Sequence, residues 1–499
     1  MKILTAAETR QADAYTIENE PIASVDLMER ASMAFTNIFT KHFGLEIPVK
    51  IFCGSGNNGG DGLAVARLLL KQKYKVETWL VNFEDKGSPD FMTNLGKLKK
   101  WHSPHVLSSI DDFPDLSEHD VIIDAIFGSG LTRPIEGFYA EVIKSINKRP
   151  GKIVSIDIAS GLFADAPSPG PFIIRPALTI SFQTPKLAFM IPENEEFVGG
   201  WEIADIGLDR EFIAKTKSQY YLLTESRVRN MVQKRLNFAH KGDFGKAIMM
   251  CGCLGKIGAA VLGAKACMRT GTGLLTMLIP QCGYEIMQTS VPEAMVVVDG
   301  HKEFLTQYPE LEPYNTVGIG PGIGTQPETT QMLIKLLENY SKPMVLDADA
   351  INILGKNRFL LEKLPEESIL TPHIKEFERI TKPVGNHFER LDLQQKFSRK
   401  YKVIVILKGA HSSITLPDGS VYFNSTGNPG MATGGSGDVF TGILTGLLAQ
   451  YYPPGNAALL GTYLHGLAGD LAAEKRGQQG MIASDIIEEI PQTYLKMKN

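Results

Sequence analysis

The chain has 499 residues, of which 43% are hydrophobic and 21% are charged, and its formal net charge is −4. This length exceeds what one hydrophobic core usually supports, so two or three domains are expected, and the composition excludes a largely disordered chain. The slightly acidic balance excludes a general nucleic-acid-binding surface.

The start of the chain acquires charge too early for a signal peptide, and no apolar stretch reaches the roughly 18 residues of a membrane helix. We therefore expect a cytoplasmic protein with no membrane partner. The five cysteines are an odd, sparse set, unlike a disulfide framework. Cys251 and Cys253 have no second pair nearby that would complete a zinc site, so reduced core cysteines are the simpler interpretation.

In the first half of the chain, apolar runs alternate with helical patterns. The runs that read as strands are residues 49–54, 75–81, 120–124 and 152–157. This alternation predicts an α/β fold with a parallel sheet covered by helices. In such sheets ligands bind beyond the carboxyl ends of the strands.

Polar clusters follow three of these strands. Asn57, Asn58 and Asp61, in a predicted glycine-rich loop, combine side-chain oxygens with exposed N–H groups, which suits a phosphate together with a monovalent cation. Asp124 and Ser160 at neighbouring strand ends would complete an oxygen-rich shell that favours potassium over magnesium. For any single cluster, the alternative is that Asn and Asp serve only to form turns.

Asp157 ends the fourth strand, and Lys186 follows in the segment 181–186. Together they are a candidate acid–base pair, because proton transfer needs a group of each kind near one carbon. The alternative for Lys186 is a solvated surface lysine.

The motifs Asn57-Asn-Gly-Gly-Asp61-Gly, Asp124-Ala-Ile-Phe-Gly-Ser-Gly-Leu and Asp157-Ile-Ala-Ser-Gly-Leu resemble the signature of the NAD(P)H-hydrate epimerase domain, over roughly residues 1–217. The resemblance implies a Rossmann-like three-layer domain that interconverts the R and S epimers of hydrated NADH and NADPH with bound K⁺. It implies Asn58, Asp124 and Ser160 as K⁺ ligands and Asp157 beside the reacting nicotinamide. The implied phosphate-binding residues are Asn57, Asn58, Gly59, Gly60, Asp61, Gly128, Ser129, Gly130, Leu131, Thr132 and Arg133. Ala159 departs from the pattern, since the family usually has a more rigid proline there.

Between residues 201 and 227 the pattern loosens, and we place a domain boundary near residue 218. A second α/β series follows, with predicted strands at 246–251, 316–320, 343–347 and 403–408 and a helix at 258–269.

Residues 428–438 place Asp438 behind four glycines and at the start of an apolar helix. Glycines admit positive φ and bring N–H groups close to an anion, and the helix dipole adds positive potential, so the loop suits phosphate chemistry with Asp438 as a base. A tight turn with an acidic cap is the alternative. Lys408–Ser412, after another strand, would form the opposite wall of a nucleotide site. Asp347, Asp349, His373 and Glu376 also follow strands and are either ligands or caps.

Five ordered motifs, at 318–324, 346–350, 371–376, 407–410 and 428–438, resemble the NAD(P)H-hydrate dehydratase domain over roughly residues 225–499. The resemblance implies a ribokinase-like three-layer α/β domain, which dehydrates the S hydrate by phosphorylating its ring hydroxyl and then eliminating phosphate. Asp438 would be the base, and Gly322, His373 and Asp438 would face the hydrate. The implied nucleotide-binding residues are Lys408, Gly409, Ala410, His411, Ser412, Gly435, Ser436 and Gly437.

Phosphoryl transfer implies Mg²⁺, and ADP is the expected donor because bacterial two-domain members use it, with ATP as the alternative. Ribokinase-like dehydratases often assemble, so a homo-oligomer is expected. Cys251 and Cys253 stand where the family usually has a Gly-Gly-Ser-like turn.

The two resemblances together predict a bifunctional metabolite repair enzyme, because damage produces both epimers and the dehydratase accepts one. One alternative is a C-terminal kinase for a vitamin precursor, which would release a stable phosphorylated product. Another is an N-terminal dinucleotide-binding module that is regulatory and not catalytic.

Overall fold

The computed structural model describes residues 1–148 and 151–498, and the chain divides into two compact units. The first unit comprises residues 1–220 and 386–388, and the second comprises residues 221–385 and 389–499. Among the described residues, no helix has the length and apolar character needed to cross a membrane.

The first unit has an α/β architecture. Its strands are β1 (Lys2–Ile3), β2 (Val49–Cys53), β3 (Val76–Val81), β4 (His105–Leu107), β5 (Val121–Ala125), β6 (Lys152–Ile156), β7 (Leu178–Phe182) and β8 (Gly200–Ala204). Its helices are α1 (Ala6–Asn19), α2 (Ser24–His42), α3 (Asn57–Lys71), α4 (Pro89–Leu98), α5 (Gly137–Asn147), α6 (Glu195–Val198) and α7 (Arg210–Lys215).

A parallel sheet in the order β4-β3-β2-β5-β6-β7-β8 forms the centre of this unit. The chain leaves β2 for β3 on one side and later enters β5 on the other. The strand order therefore reverses between β2 and β5, and this reversal opens a crevice at the carboxyl ends of the strands.

Helix α2 shows how the sequence builds the layer on this sheet. Leu27, Ala31, Phe35 and Phe39 recur every four residues, so they share one helix face, and all are buried. They join Ile51 of β2 in one hydrophobic cluster. This apolar face holds the helix against the sheet.

The second unit is also α/β. Its strands are β9 (Tyr220–Leu222), β10 (Lys246–Met250), β11 (Leu274–Ile279), β12 (Met295–Val298), β13 (Thr316–Ile319), β14 (Val345–Leu346), β15 (Ile369–Leu370), β16 (Ile404–Leu407), β17 (Ser413–Thr415) and β18 (Val421–Phe423). Its helices are α8 (Glu225–Arg229), α9 (Ile257–Arg269), α10 (Tyr284–Ser290), α11 (Pro327–Asn339), α12 (Ala348–Lys356), α13 (Ile374–Ile380), α14 (His387–Tyr401), α15 (Ser436–Ala449), α16 (Pro454–Arg476) and α17 (Ala483–Lys496).

The sheet of this unit runs in the order β18-β17-β16-β15-β14-β13-β10-β11-β12. The pairs from β16 to β12 are parallel, and the β16-β17-β18 hairpins are antiparallel. Ile404 and Ile406 pack with residues of α15, α16 and α17, whereas Val405 and Leu407 pack with residues of α11 and α12. Because successive strand residues point to opposite faces, this alternation shows helices on both faces of the sheet and hence three layers.

Helix α15 is apolar on nearly every side and almost entirely buried, as its sequence predicts. Its contact with α9 is close because glycines meet there: a Cβ atom added to Gly442 would lie 2.2 Å from the carbonyl oxygen of Gly263. This packing fixes the first turn of α15, which carries Asp438.

Candidate active sites

In the first unit, residues 57–61 form the first turn of α3 and are not the loop that the sequence predicts. Glycine makes this early helix start possible: a Cβ atom on Gly59 would lie 1.7 Å from the carbonyl oxygen of Gly54. Asn57 is exposed, whereas Asn58, Gly59, Gly60 and Asp61 are buried. A helix start has unpaired N–H groups, and α3 has no side-chain cap, so this turn suits an anion as well as a loop would.

Asp124 is fully buried at the end of β5, and four donors surround its carboxylate. Oδ2 accepts from Ser155 Oγ (2.9 Å) and from the N–H of Ser160 (2.8 Å), and Oδ1 accepts from Ser160 Oγ (2.5 Å) and from the N–H of Ile126 (3.3 Å). Burial raises the pKa of Asp124, and these hydrogen bonds oppose that rise. Asp124 and Ser160, predicted to act together, are therefore in direct contact.

Asn58 joins this region through the chain after β5. A Cβ atom on Gly128 would lie 3.2 Å from Asn58 Cβ and 3.4 Å from its Oδ1, and the neighbouring Phe127 N–H donates to Ser160 Oγ (2.8 Å). Among the described residues, the buried Nδ2 of Asn58 has no hydrogen-bond partner. An unsatisfied buried amide marks a place where a ligand would restore hydrogen bonding. The remaining predicted phosphate-binding residues extend outward from Gly128: Ser129, Gly130, Leu131, Thr132 and Arg133, with Gly130, Thr132 and Arg133 exposed.

Asp157 and Lys186 form a buried ion pair, with 2.8 Å between Lys186 Nζ and Asp157 Oδ1 and side-chain exposures of 1% for Lys186 and 11% for Asp157. The solvated-surface alternative for Lys186 is therefore wrong. Asp157 has a positive φ of 65°, and its Oδ1 accepts from the N–H of Phe182 (3.0 Å). Non-glycine residues rarely adopt a positive φ, and such strained positions concentrate at functional sites.

Two further carboxyls lie in the electrostatic field of this pair. Burial raises the pKa of Asp61 well above its usual range, and Asp157 and Asp13 add to the rise. Burial also raises the pKa of Asp13 to about 6, with Asp157 adding and Lys186 opposing. Asp13 belongs to α1 and lies far along the sequence from every motif, so no sequence signal indicated it. The crevice thus combines the Lys186 cation with Asp13, whose pKa is about 6, and Asp61, whose pKa is raised, and this combination suits proton transfer.

In the second unit, Asp438 lies in the first turn of α15. This helix begins directly after Gly435, which has a φ of 93°. Burial raises the pKa of Asp438 to about 6, the Asp347 carboxylate adds to the rise, and the Lys408 ammonium opposes it. A carboxyl with this pKa is ionised at neutral pH and retains basicity, as a general base requires.

Beneath this turn, Asp347 is fully buried and holds two side chains. Lys408 Nζ lies 2.9 Å from its Oδ1, and Thr441 Oγ1 donates to its Oδ2 (2.8 Å). A Cβ atom on Gly437 would lie 3.6 Å from Lys408 Nζ. Lys408 therefore lies against the glycine-rich turn, where its charge would stabilise a transferring phosphoryl group.

The remaining predicted nucleotide residues form two turns. In the turn after β16, Ser412 Oγ donates to the carbonyl of Gly409 (3.0 Å) and His411 Nδ1 donates to that of Asn424 (3.2 Å), while Gly409 and Ala410 are exposed. In the turn before α15, Ser436 Oγ lies 3.3 Å from Nε2 of the half-buried His465, and the Ser436 N–H donates to the carbonyl of Thr433 (3.4 Å). That N–H already has a partner, so the N–H groups of Gly435 and Gly437 are the better candidates for phosphate.

A cavity of about 450 Å³ opens beside Asp438. Its lining residues are Gly255, Lys256, Gly258, Ala259, Gly322, Ala348, Asp349, Asn352, Glu376 and Asp438. Gly322 and Asp438, both predicted to face the hydrate, thus share one cavity. His373 is not among the lining residues: its ring accepts from the Glu376 N–H (3.3 Å) and caps α13. Lys256 was not predicted, because a lysine in a turn carries no sequence signal.

Comparisons with known proteins agree with the predicted identity of each half of the chain. A family model described as NAD(P)H-hydrate dehydratase matches residues 247–492, and one described as YjeF-related protein N-terminus matches residues 24–188. A bifunctional NAD(P)H-hydrate repair enzyme of Moorella thermoacetica is 36% identical over 509 residues, which cover 98% of this chain and 96% of that protein.

Two crystal structures resemble the second half. An ADP/ATP-dependent NAD(P)H-hydrate dehydratase from Bacillus subtilis, co-crystallised with ATP and Mg²⁺, has a TM-score of 0.50 at 28% identity and covers 56% of this chain and 98% of its own. A ribokinase-like superfamily protein from Enterococcus faecalis has a TM-score of 0.50 at 27% identity, with the same coverage of 56% and 98%. The predicted fold class and enzyme class are confirmed. The chain belongs to the family of bifunctional NAD(P)H-hydrate repair enzymes, which join an epimerase domain to a dehydratase domain.

Proposed function

We propose that the protein converts both epimers of hydrated NADH and NADPH to the reduced nucleotides at the expense of ADP. Residues 1–217 form the epimerase domain and residues 225–499 the dehydratase domain in this proposal. The observation that carries it is Asp438, a base beside a cavity of about 450 Å³ at the glycine-rich start of α15, close to the Lys408–Asp347 ion pair.

In the dehydratase site, Asp438 takes the proton of the ring hydroxyl as that oxygen attacks the terminal phosphate of ADP, and the bond to the bridging oxygen breaks to release AMP. The N–H groups of Gly435 and Gly437 and the Lys408 ammonium stabilise the transferring group. Loss of phosphate from the ring and of a proton from the neighbouring carbon then restores the dihydronicotinamide. Gly322 is assigned to the hydrate together with His373, which caps α13 outside the cavity lining. Lys408 to Ser412 and Gly435 to Gly437 are assigned to the nucleotide.

Magnesium supplies charge neutralisation on the donor phosphates. The described residues contain no group of three or more His, Cys, Asp or Glu side chains that could hold a metal. This fits Mg²⁺, which keeps several waters and is held by one or two carboxylates together with substrate phosphates. With Asp438 reserved as the base, Asp349 of the cavity is a carboxylate available for this role.

In the epimerase site, the Asp157–Lys186 pair donates a proton to the ring hydroxyl as its C–O bond breaks and water leaves. The pair then takes the proton back from water as that water re-forms the C–O bond on the opposite face of the ring. K⁺ is assigned to the side-chain oxygens of Asn58, Asp124 and Ser160. The support is that Ser160 Oγ contacts both Asp124 Oδ1 and the Phe127 N–H, next to Gly128, whose added Cβ atom would lie 3.4 Å from Asn58 Oδ1. The start of α3 and residues 128–133 would hold the dinucleotide phosphates. We further propose a cytoplasmic homo-oligomer, in keeping with a soluble nucleotide substrate.

The experiment is to add the protein to mixed R and S hydrates of NADH, with Mg²⁺ and either ADP or ATP, and follow the near-ultraviolet absorbance of reduced nicotinamide. Full recovery with ADP is the expected result. Recovery of only the S fraction would show that the first unit is not an epimerase, and a stable phosphorylated product without recovery would favour the vitamin-precursor kinase. Replacing K⁺ by Na⁺ is expected to slow recovery of the R fraction alone.

The pH dependence of dehydration follows from Asp438. Its pKa is raised to about 6, and the base must be ionised, so kcat/KM for the S hydrate should be level above about pH 7. Below about pH 6 it should fall tenfold per pH unit, because the protonated fraction rises in that proportion. Initial rates across pH 4.5–8.5 (about four decades of proton concentration) check this, and a level profile down to pH 5 would contradict it.

A further inference from the structure

Lys256 is a feature of the dehydratase cavity that neither the motifs nor the proposed chemistry uses. It directly precedes α9, and its side chain is 54% exposed. Its Nζ lies 3.5 Å from Asp349 Oδ2, the only ion pair recorded for it among the described residues. A long, half-exposed pair of this kind is weak, so the ammonium is available to a stronger partner.

The charges around the cavity show what that partner would be. Among the described lining residues, three carry carboxyl groups, namely Asp349, Glu376 and Asp438, and Lys256 is the single cation. The hydrated dinucleotide carries a diphosphate, and in NADPH hydrate also a 2′-phosphate. The three carboxylates repel such an anion, and Lys256 is the cation of the described lining that attracts its phosphate groups.

The backbone places Lys256 next to the substrate position. A Cβ atom on Gly322 would lie 3.1 Å from both Lys256 Cβ and the Lys256 carbonyl oxygen. Because Gly322 is assigned to the hydrate, Lys256 lies next to the proposed position of the hydrate. Helix α9 has no side-chain cap and no acidic residue in its first turn, so its positive end adds to the Lys256 charge.

Asp349 does not depend on Lys256 for hydrogen bonding. Its Oδ2 also accepts from the N–H of Gly324 (2.9 Å), and its Oδ1 accepts from Asn352 Nδ2 (3.3 Å). If the Lys256 ammonium leaves Asp349 for a phosphate, Asp349 therefore keeps two hydrogen-bond partners, and its charge does not remain unpaired.

We infer that Lys256 is a specificity-determining residue that leaves Asp349 to bind a phosphate group of the hydrated dinucleotide. The inference rests on the proposed dehydratase function. Lys256 acts in binding and takes no part in phosphoryl transfer, so its removal should weaken the hydrate's affinity and leave the chemical step unchanged.

The test compares K256M and K256R with the wild-type protein. KM for the S hydrate should rise about tenfold or more in K256M, the loss expected for one charge-assisted phosphate contact, with kcat and the KM for the donor nearly unchanged. K256R should recover most of the affinity, because it keeps the charge. K265M is the matched control: Lys265 is exposed on the same helix, and its loss changes the net charge equally.

Two substrates identify the phosphate. A rise for both NADH hydrate and NADPH hydrate assigns Lys256 to the diphosphate, and a rise for NADPH hydrate alone assigns it to the 2′-phosphate. Unchanged KM for both hydrates, or a rise confined to the donor, overturns the inference. Turnover and binding test the two proposals separately. Absent turnover in the wild type refutes the dehydratase function. Calorimetric titration of each hydrate without donor tests Lys256, and equal affinities of wild type and K256M refute its role.

Discussion

Replacing Asp438 by Asn is expected to lower the rate of dehydration by about 10²–10⁴-fold while the R and S hydrates continue to interconvert. Asn keeps the size of the side chain but cannot accept the hydroxyl proton. The measurement is donor-dependent recovery of absorbance from the S hydrate, with epimerisation in the same protein as an internal control. D392N is a matched control, since Asp392 is exposed on α14 and forms an ion pair with the exposed Lys396.

The same variant is expected to be more stable than the wild type at pH 8. The pKa of Asp438 is about 6 in the folded protein against an ordinary 3.8, so the folded state disfavours the charged form. The resulting loss of stability is absent below about pH 4 and complete above about pH 6, and amounts to on the order of 1–3 kcal/mol for a partly buried carboxyl. Urea unfolding of the second unit at pH 4 and pH 8 measures this loss of stability.

A D438N variant that dehydrates the S hydrate at the wild-type rate would refute the role of Asp438 as the base.

Replacing Lys186 by Met is expected to abolish epimerisation and to destabilise the first unit by about 3–5 kcal/mol. The side chain is 1% exposed and its partner Asp157 is 11% exposed, so the variant leaves a carboxylate in a buried site without its cation. Recovery of the R hydrate should cease, while dehydration of the S hydrate in the second unit continues. Thermal unfolding of the first unit measures the loss of stability.

Because K186M alone could lose activity through misfolding, the double variant K186M/D157N separates the two causes. It removes both charges and is expected to regain much of the lost stability, since no charge is left unpaired. Epimerisation should nevertheless stay absent. If the double variant folds and epimerises, the pair is structural, and the acid–base proposal is wrong.

The sequence determines the parts of both sites that follow strands. Parallel strands end at one edge of a sheet, so Asp124 and Ser160, 36 positions apart, meet because each follows a buried strand. Asp438 was equally predictable, because glycines followed by an all-apolar run place it at the start of a buried helix. The sequence pattern did not show that residues 57–61 begin a helix, since glycine is more typical of loops than of helix starts.

The tertiary structure alone decided which charged groups face one another. Lys408 pairs with Asp347 across 61 positions, Asp13 of α1 comes under the influence of Asp157, and Lys256 enters the cavity beside Asp438. These contacts depend on strand order and on how closely helices pack, as where Gly442 meets Gly263. Hydrophobic periodicity reports which face of an element is buried but not which element covers it. The sequence by itself therefore determined the fold class and the strand-end residues, and the packing of the elements determined the pKa of the base and the charge of the cavity.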